Sequence, residues 1–554
     1  MGGMLTTEKY PVFVRDATGL VRSFSGFDMM WFNVVSFGAA WSIIYALEYA
    51  PLYGGDPITS LLITAPGVLA LLGAYHIFQI SMPRTGGDYV FMSRIINPSI
   101  GLAANFAGYA FFNWFWIGDA AAVFSSQGLA QALSVYGSLT GQQWAVNAAS
   151  AFDPLTTFIV GTVAIIIFTL IVIFSTRLYF RIQNAAMIVA MLGVAVAIIL
   201  FLTTNPASFA NIFNNYAAKQ GFQNAYQNFT MTGNQYWGGS VPTSPLSPYT
   251  FVLIPLWFTV LFWVYGSNYL AGETKQIRNN GKVALFGSFL VIFIPTLLVL
   301  GIAYRTLGAD FLAGAGYYSL GYASNPLPVI PNLTLFAGIL TNNPILVWFI
   351  GVGVVAGFLL VAPQSIFAQS RQLFAYAFDR LTPAFVADVN DRLHSPVNAI
   401  LISAAGGEVF LLFLSGLVGP ATASTAFLFY SYAGLAAIGL TFVFVSISAI
   451  LLPYRRKELY ETSCPIKQKI FGVPVIVWLG LISLIYCLAT IGYYTYNYLF
   501  YFGAGTLAAN LYFPFLAALI GLFVACIAWF YIAAWYRKKS GLPFEKAFQL
   551  IPPE

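Results

Sequence analysis

Asp119 is the residue whose type and position most strongly indicate chemistry. It lies near the middle of a long apolar stretch, in the run Asn113-Trp-Phe-Trp-Ile-Gly-Asp-Ala. Ionised groups are costly in the hydrocarbon core of a membrane, so acids placed there often bind ligands or carry protons. Asp119 is therefore a candidate partner for an organic ammonium, or a carboxylate that takes up and releases a proton. The alternative is a structural acid that is protonated or hydrogen-bonded to a neighbouring helix.

Three other acids lie in or near apolar stretches. For Glu408, beside Gly406 and Gly407, the structural interpretation is favoured because its stretch is expected at the periphery of the bundle. Glu48 and Asp28 lie near the ends of stretches, where water or lipid headgroups solvate charges, so neither predicts a site.

Two apolar stretches are interrupted by small residues at about mid-membrane depth. They read Asn33-Val-Val-Ser-Phe-Gly-Ala-Ala-Trp and Phe262-Trp-Val-Tyr-Gly-Ser-Asn-Tyr. Secondary transporters break helices there, so that freed backbone N–H and C=O groups bind polar substrates or ions. The two stretches are five spans apart, and the second copy of a five-span repeat is inserted upside down. The alternative is that the small residues permit close helix packing.

The elements that position these residues are transmembrane helices. Hydrophobic residues make up 59% of the 554 residues and charged residues 8%, whereas soluble domains carry about 25% charged residues. A helix needs about 20 apolar residues to span a bilayer, and about twelve stretches qualify. They lie near 27–48, 58–80, 100–134, 155–175, 182–203, 249–270, 283–304, 345–376, 397–417, 423–452, 473–498 and 509–536. Most aromatic side chains of the third stretch are expected to face lipid or the membrane interface.

The basic residues predict the orientation. With both termini in the cytoplasm, only Lys219 and Arg305 of the 24 Lys and Arg residues fall on the outer side, which is the positive-inside bias. We therefore predict a multi-pass protein that lies in the lipid bilayer of the cell membrane, with both termini in the cytoplasm. The net charge of +6 does not indicate a nucleic-acid partner, because the basic residues lie in the loops of one face.

The sequence predicts no metal centre, no cofactor and no enzymatic activity. It has two histidines and three cysteines without metal-ligand spacing, and it lacks a GxxxxGK[ST] phosphate loop. Asp119 has no evident histidine, cysteine or lysine partner for catalysis. The sequons at Asn228 and Asn332 fall on the predicted outer side and are candidate glycosylation sites, although such triplets also arise by chance.

Three stretches together resemble the amino acid–polyamine–organocation transporter superfamily. They are Met82-Pro-Arg-Thr-Gly-Gly-Asp-Tyr-Val-Phe-Met-Ser-Arg with Asn97-Pro-Ser-Ile-Gly, then Asn268-Tyr-Leu-Ala-Gly-Glu-Thr-Lys, and then Ser370-Arg-Gln-Leu-Phe-Ala-Tyr-Ala-Phe-Asp-Arg-Leu-Thr-Pro through His394-Ser-Pro-Val-Asn-Ala-Ile. The matches run in order from about Ser23 to Ile400 with the spacing of that family.

The resemblance implies an all-α integral membrane fold of about twelve helices, with a leucine-transporter-like core of two inverted five-helix repeats and two extra helices. The expected divisions are a cytoplasmic segment 1–26, a first repeat 27–203, an extracellular loop 204–248, a second repeat 249–452, a loop with helices 11 and 12 at 453–536, and a cytoplasmic tail 537–554.

The resemblance also implies a substrate site between helices 1, 3, 6, 8 and 10. Trp116-Ile-Gly-Asp119 is similar to the W-I-G-N run of arginine–agmatine antiporters, whose Asn borders the substrate. A carboxylate at that position favours a cationic ligand or a transported proton. The expected substrate-binding residues are Ser36, Phe37, Gly38, Ala39, Ala40, Trp116, Asp119, Phe262, Trp263, Tyr265, Gly266 and Ser267.

The sequence departs from the family pattern at both interruptions. Gly38-Ala-Ala-Trp41 replaces the usual Gly-[SA]-Gly run, and Trp263 stands where the unwinding glycine of the sixth helix is expected, with Gly266 three residues later. Neither the lysine of some proton-coupled members nor the hydroxyls of sodium-coupled members is evident. Asp119 and Ser365 are the candidate coupling residues, and exchange or uniport are the alternatives.

The sequence therefore predicts a secondary transporter for amino acids or related small amines that works by alternating access, with the proton as a candidate coupling ion. The other hypothesis is a non-transporting membrane subunit of a larger complex that retains the transporter fold. The altered glycine motifs favour that second hypothesis.

Overall fold

The computed structural model describes residues 12–15, 17–501 and 507–551, without the side chains of 39–41, 427–431, 433, 501 and 507–509. Within these residues the chain forms twelve long helices. The first half comprises α1 in two parts, α1a (Gly26–Val35) and α1b (Ala39–Tyr53), then α2 (Pro57–Ser81), α3 (98–140), α4 (Pro154–Phe174) and α5 (Thr176–Leu202). The second half comprises α6 (Pro248–Glu273), α7 (Ile277–Leu307), α8 (Pro344–Phe378), α9 (Val397–Leu414), α10 (420–455), α11 (Val475–Phe500) and α12 (Leu507–Lys539). A two-residue hairpin of β1 (Lys469–Ile470) and β2 (Val473–Pro474) precedes α11.

The prediction of an all-α membrane protein is confirmed. Ten helices in the described residues are long and apolar enough to span a membrane. The other two predicted spans correspond to α1, which is broken, and to α3, which contains π-helical turns at Phe106–Ala110 and Phe124–Ala130. Each predicted apolar stretch therefore overlaps one helix.

Local sequence explains where several helices begin. The Asp56 carboxylate accepts hydrogen bonds from the backbone N–H groups of Ile58 and Thr59 at the start of α2. Asp153 caps α4 in the same way, and a proline follows each cap at the first helical position. Proline loses no hydrogen bond there, because the first N–H groups of a helix have no intrahelical partner.

The segment 204–248 is largely helical, with helices at Pro206–Lys219 and Ala225–Trp237. The second of these packs on the helix Ala309–Ser319 that follows α7. A Cβ on Gly314 would lie 1.9 Å from the carbonyl oxygen of Phe229, so only glycine permits this packing. These helices cover one end of the bundle, which we call the loop end.

The N-terminal segment and the C-terminal turn Phe544–Phe548 pack at the opposite end, which we call the terminal end. The Arg380 guanidinium donates to the Phe13 carbonyl at 2.7 Å. The Arg94 guanidinium donates to the Ala547 carbonyl at 3.4 Å and forms a buried ion pair with Asp379 at 2.6 Å. Both ends of the described chain are therefore attached to this side of the bundle.

The third helix departs from one sequence expectation. Phe112, Phe115 and Trp116 are buried inside the protein, so the prediction that most aromatic residues of this stretch face lipid is wrong for them. Their rings pack on α9, α12 and the broken helices, which a hydropathy pattern alone does not distinguish from lipid contact.

Candidate functional site

The first helix breaks where the sequence predicts. α1a ends at Val35 and α1b begins at Ala39, with Gly38 at a φ of +74° between them. No side chain among the described residues caps α1b, whose first backbone N–H groups lie at the positive end of the helix dipole. The backbone of Ala39 and Ala40 is helical, and their side chains are outside the described part of the structure.

The sixth helix is broken at the same depth. An α-helix ends at Phe262, a turn covers 263–265, and a 3₁₀-helix, α6b, runs from Gly266 to Glu273. A Cβ on Gly266 would lie 3.1 Å from the Gln364 amide nitrogen and 3.2 Å from the Ser36 hydroxyl oxygen. Gly266 therefore permits close contact of α6b with both α1 and α8.

Asn33 joins the parts of the two broken helices that point to the terminal end. Its amide nitrogen donates to the Ser267 hydroxyl at 3.1 Å and to the Ala284 carbonyl at 2.8 Å. The Ser267 backbone N–H donates to the Asn33 amide oxygen at 2.7 Å. These bonds link α1a, α6b and the start of α7, so we expect the three to move as one body.

A stack of three aromatic rings fills the space between the breaks. Trp116 of α3 is parallel to Phe37 of the first break, with ring centroids 5.7 Å apart, and to Trp263 of the second, at 6.2 Å. The Trp116 indole N–H donates to the Ser36 carbonyl at 3.0 Å. Phe37 and Trp116 are buried, whereas Trp263 is half-buried. The structure therefore brings the predicted residues of three helices into one closed site.

Asp119 lies one helical turn beyond Trp116, on the side of the loop end. Residues three apart in a helix share a face, so the carboxylate and the indole border the same region. The side chain is 3% exposed, and its Oδ2 atom has no hydrogen-bond partner in the described structure. Tyr49 of α1b is within electrostatic reach. An unsatisfied buried acceptor is energetically costly, which is typical of a group that binds a ligand or a proton.

Trp263 provides the complementary group. Its indole N–H also has no hydrogen-bond partner in the described structure. The region around Trp116 therefore contains one unsatisfied acceptor, on Asp119, and one unsatisfied donor, on Trp263. A ligand that satisfies both must carry a donor and an acceptor of its own.

A network of buried amides, which the sequence analysis missed, connects α8 to the site. The Gln364 amide donates to the Ser36 hydroxyl at 2.9 Å. Farther along α8, the Gln369 amide accepts from Asn113 at 2.5 Å and donates to the Ala110 carbonyl at 2.8 Å. The sequence signal that could have revealed this network is the presence of glutamines within an apolar span, because an amide in a membrane requires a hydrogen-bond partner.

The remaining candidates have structural contacts. The Ser365 hydroxyl donates to the Gln364 amide oxygen at 3.3 Å, and Phe262 and Tyr265 are buried against Phe442. Glu408 is half-buried between α9 and α4, where its Oε2 atom accepts from Thr162 at 2.9 Å and its Oε1 atom has no partner in the described structure.

The two sequons differ in exposure. Asn332 is 6% exposed and accepts a hydrogen bond from the Thr334 backbone N–H, whereas Asn228 is half-exposed on a helix of the loop end. Glycosylation stays a prediction at both positions, and exposure favours Asn228. In the described residues, no three acidic, histidine or cysteine side chains are grouped for a metal ion.

Changing Gly266 to alanine is expected to weaken the site. The added methyl group would press on Gln364 and Ser36, and overpacking of this kind costs about 1–3 kcal/mol. We expect a lower unfolding temperature of the purified protein and weaker ligand binding. Gly301→Ala is the matched control, because the nearest atom to its Cβ is Ile58 Cδ1, at an ordinary 3.7 Å. Equal behaviour of the two variants would contradict the proposed close contact.

Comparison with known proteins agrees with this architecture. A search of curated protein sequences gave no match for the chain. The profile of the family described as amino acid permease matches residues 28–525, which include all twelve helices apart from the first two residues of α1a and the end of α12. The match covers both broken helices, Asp119 and the amide network. The chain therefore belongs to the amino acid permease family, a family of membrane transporters.

Proposed function

We propose that this protein is a secondary transporter of amino acids or closely related small amines, and that the region around Trp116 is its substrate site. The observation that carries the proposal is the Asp119 carboxylate beside the two helix breaks, whose Oδ2 atom has no hydrogen-bond partner in the described structure. A buried carboxylate without a cation is stabilised when an ammonium group binds to it.

The substrate carboxylate would meet the start of α1b. The N–H groups of the first turn, which no described side chain caps, and the positive end of the helix dipole favour an anion there. The unpaired indole N–H of Trp263 adds a donor. An ammonium at Asp119 and a carboxylate at these donors together match the two charges of an amino acid.

The ring stack would act as the barrier within the site. Trp263 is half-buried, whereas Phe37 and Trp116 are buried, so a ligand that enters must displace the Trp263 ring first. The terminal end is closed in this conformation: the Ser23 backbone N–H donates to the Glu273 carbonyl at 2.9 Å, and Glu273 pairs with Arg371. Alternating access would require α1a and α6b to leave these contacts together.

The positive-inside bias supports a cytoplasmic location for the terminal end and a cell-membrane location for the protein. In that orientation the conformation is closed toward the cytoplasm. The Asp119 carboxylate could bind either a proton or an ammonium group. Transport coupled to a proton and exchange of two substrates both agree with such a group.

A thermal-shift screen of the purified protein tests the proposal. The ligands are an amino acid, the amine that lacks its carboxylate and the acid that lacks its amine, in several side-chain classes and with polyamines and nucleobases. A ligand at a hundredfold excess over its Kd stabilises the folded state by about 2.7 kcal/mol. We expect stabilisation by amino acids or amines and none by the acids alone. Stabilisation by nothing in the panel would contradict the proposal and favour a non-transporting subunit.

A further inference from the structure

A second buried carboxylate, Asp88, lies at the terminal end, outside the substrate site. It begins the short helix Asp88–Ile95 between α2 and α3, and its side chain is 0% exposed. Gly86 and Gly87 precede it with φ angles of +109° and +50°. A Cβ on Gly87 would lie 2.7 Å from the Tyr269 ring, so this turn brings Asp88 directly against α6b.

Tyrosines surround this carboxylate. The Tyr269 hydroxyl donates to the Asp88 Oδ2 atom at 2.6 Å and also lies 3.3 Å from the Tyr265 hydroxyl. The Asp88 Oδ1 atom has no hydrogen-bond partner that meets normal geometry. Tyr75 of α2 and Tyr109 of α3 complete the group within electrostatic reach.

Among the described residues, no cation forms an ion pair with Asp88. The titratable groups that face it are Tyr75 from α2, Tyr109 from α3, Tyr265 from the turn of the sixth helix, Tyr269 from α6b, and Tyr376 from α8. The nearby guanidiniums have other partners: Arg94 pairs with Asp379, Arg371 pairs with Glu273, and Arg455 of α10 donates to the Ile96 carbonyl.

An ionised carboxylate in this environment is costly, because it is removed from water without a compensating positive charge. A protonated carboxyl avoids that cost, because it carries no charge. Burial raises the pKa of Asp88 to about 6, against the opposing effect of the hydrogen bonds from Tyr269 and Tyr75. The Asp88 carboxyl therefore titrates in the mildly acidic range, at about pH 6.

The Asp88 environment is also connected to the substrate site. The Tyr109 ring stacks on Tyr269, with centroids 5.3 Å apart, and contacts Trp263 at 6.0 Å. Tyr269 belongs to α6b, which Asn33 joins to α1a. A change at Asp88 therefore acts on the segment that must move when the terminal end opens.

We propose that Asp88 is a proton-binding site that controls the terminal end of the protein. With the proton bound, Asp88 and the tyrosines hold α6b against the turn at Gly86 and Gly87. Loss of that proton to water leaves a buried charge, which favours separation of α6b from the turn and entry of water. The binding of the proton does not depend on the proposed transport function, whereas its role in opening does.

Infrared titration of the purified protein without substrate tests the proton site directly. The C=O band of a protonated carboxyl should disappear with a midpoint near pH 6, and Asp88→Asn should remove that component. Asp119→Asn is the matched control and should keep it. Identical titrations of wild type and Asp88→Asn would overturn the proposal.

The contact with Tyr269 gives a second test, in which the direction of the change in the titration midpoint is predicted. Tyr269→Phe removes a hydrogen bond that lowers the pKa of Asp88, so the midpoint should move to higher pH. Tyr75→Phe should move it in the same direction by less. A midpoint that stays in place or moves down would contradict the assignment.

Opening is measured by hydrogen exchange of the backbone at Gly266–Glu273, corrected for the intrinsic effect of pH on exchange. Protection in wild type should fall as pH rises through about 6, and Asp88→Asn should keep it constant. A dependence on Na⁺ at fixed pH, instead of on pH, would make Asp88 a metal-cation site and overturn the proton proposal. Because no substrate is added, failure of the transport proposal would leave the infrared titration of Asp88 unchanged, and the two proposals can be told apart.

Discussion

Asp119→Asn is expected to weaken amine or amino acid binding by about 100-fold or more and to abolish measurable uptake. Asparagine keeps the size of the side chain and removes the negative charge, so the substrate ammonium loses its buried partner. Removing one member of a buried ion pair costs about 3–5 kcal/mol, and about 1.4 kcal/mol is tenfold in Kd. Ligand-dependent thermal shifts give the affinity, and uptake into proteoliposomes gives the transport rate.

Glu408→Gln is the control for this experiment. Glu408 is also an acid within a membrane-spanning helix, but it is half-buried between α9 and α4 and accepts a hydrogen bond from Thr162. The variant should bind and transport as the wild type does. If Asp119→Asn retained full transport with unchanged pH dependence, Asp119 would be a structural acid. If both variants lost transport equally, the effect would not be specific to the site.

Glu273→Gln should destabilise the closed conformation by about 3–5 kcal/mol, the usual cost of breaking a buried ion pair. The Arg371 guanidinium donates to both Glu273 oxygens, at 2.8 and 2.9 Å, and the two side chains are 0% and 3% exposed. The variant leaves a buried guanidinium without its charge partner. We expect a large fall in the unfolding temperature in detergent and faster hydrogen exchange in α6b.

Two further variants make this result specific. Adding Arg371→Met to Glu273→Gln removes the unpaired charge and should recover part of the stability, as a double-mutant cycle would measure. Glu545→Gln breaks the ion pair of Glu545 with Lys538, whose side chains are 70% and 56% exposed, and should leave the unfolding temperature unchanged. A small effect of Glu273→Gln would mean that the Glu273–Arg371 pair does not hold the terminal end closed.

Together these results would separate two roles of charge in the protein. Asp119 has no charge partner among the described residues and is expected to affect binding. Glu273 is paired across α6b and α8 and is expected to affect the balance between closed and open conformations. Asp88 would make the balance between the closed and open conformations depend on pH, because it contacts the same segment, α6b.

Much of the fold could be predicted from the sequence, because the signals are local. An apolar run of sufficient length must form a helix in lipid, where each backbone group needs a partner within the protein. Caps such as Asp56 and Asp153 mark where helices begin. Residues 204–248 were predicted only as a loop, because their polar composition does not reveal the helices that pack on the loop end.

The candidate site could be predicted only in part. The residues of both breaks and Asp119 were found from small residues and a charge within apolar runs. Gln364, Gln369 and Asn33 were not, although each is a buried amide in a spanning helix. Their roles depend on partners in other helices, and an amide alone does not show which helix it meets.

The sequence by itself determined the class of protein, the number and place of the helices, and the positions at which two of them break. These properties follow from hydropathy and backbone preference over a few residues. Only the tertiary structure decided the contacts that make a site. Asn33 meets Ser267 across 234 residues, Trp116 meets Ser36 across 80, and Asp88 meets Tyr269 across 181. In such pairs the free energy comes from mutual burial and hydrogen bonding, so neither residue reveals it until the helices have packed.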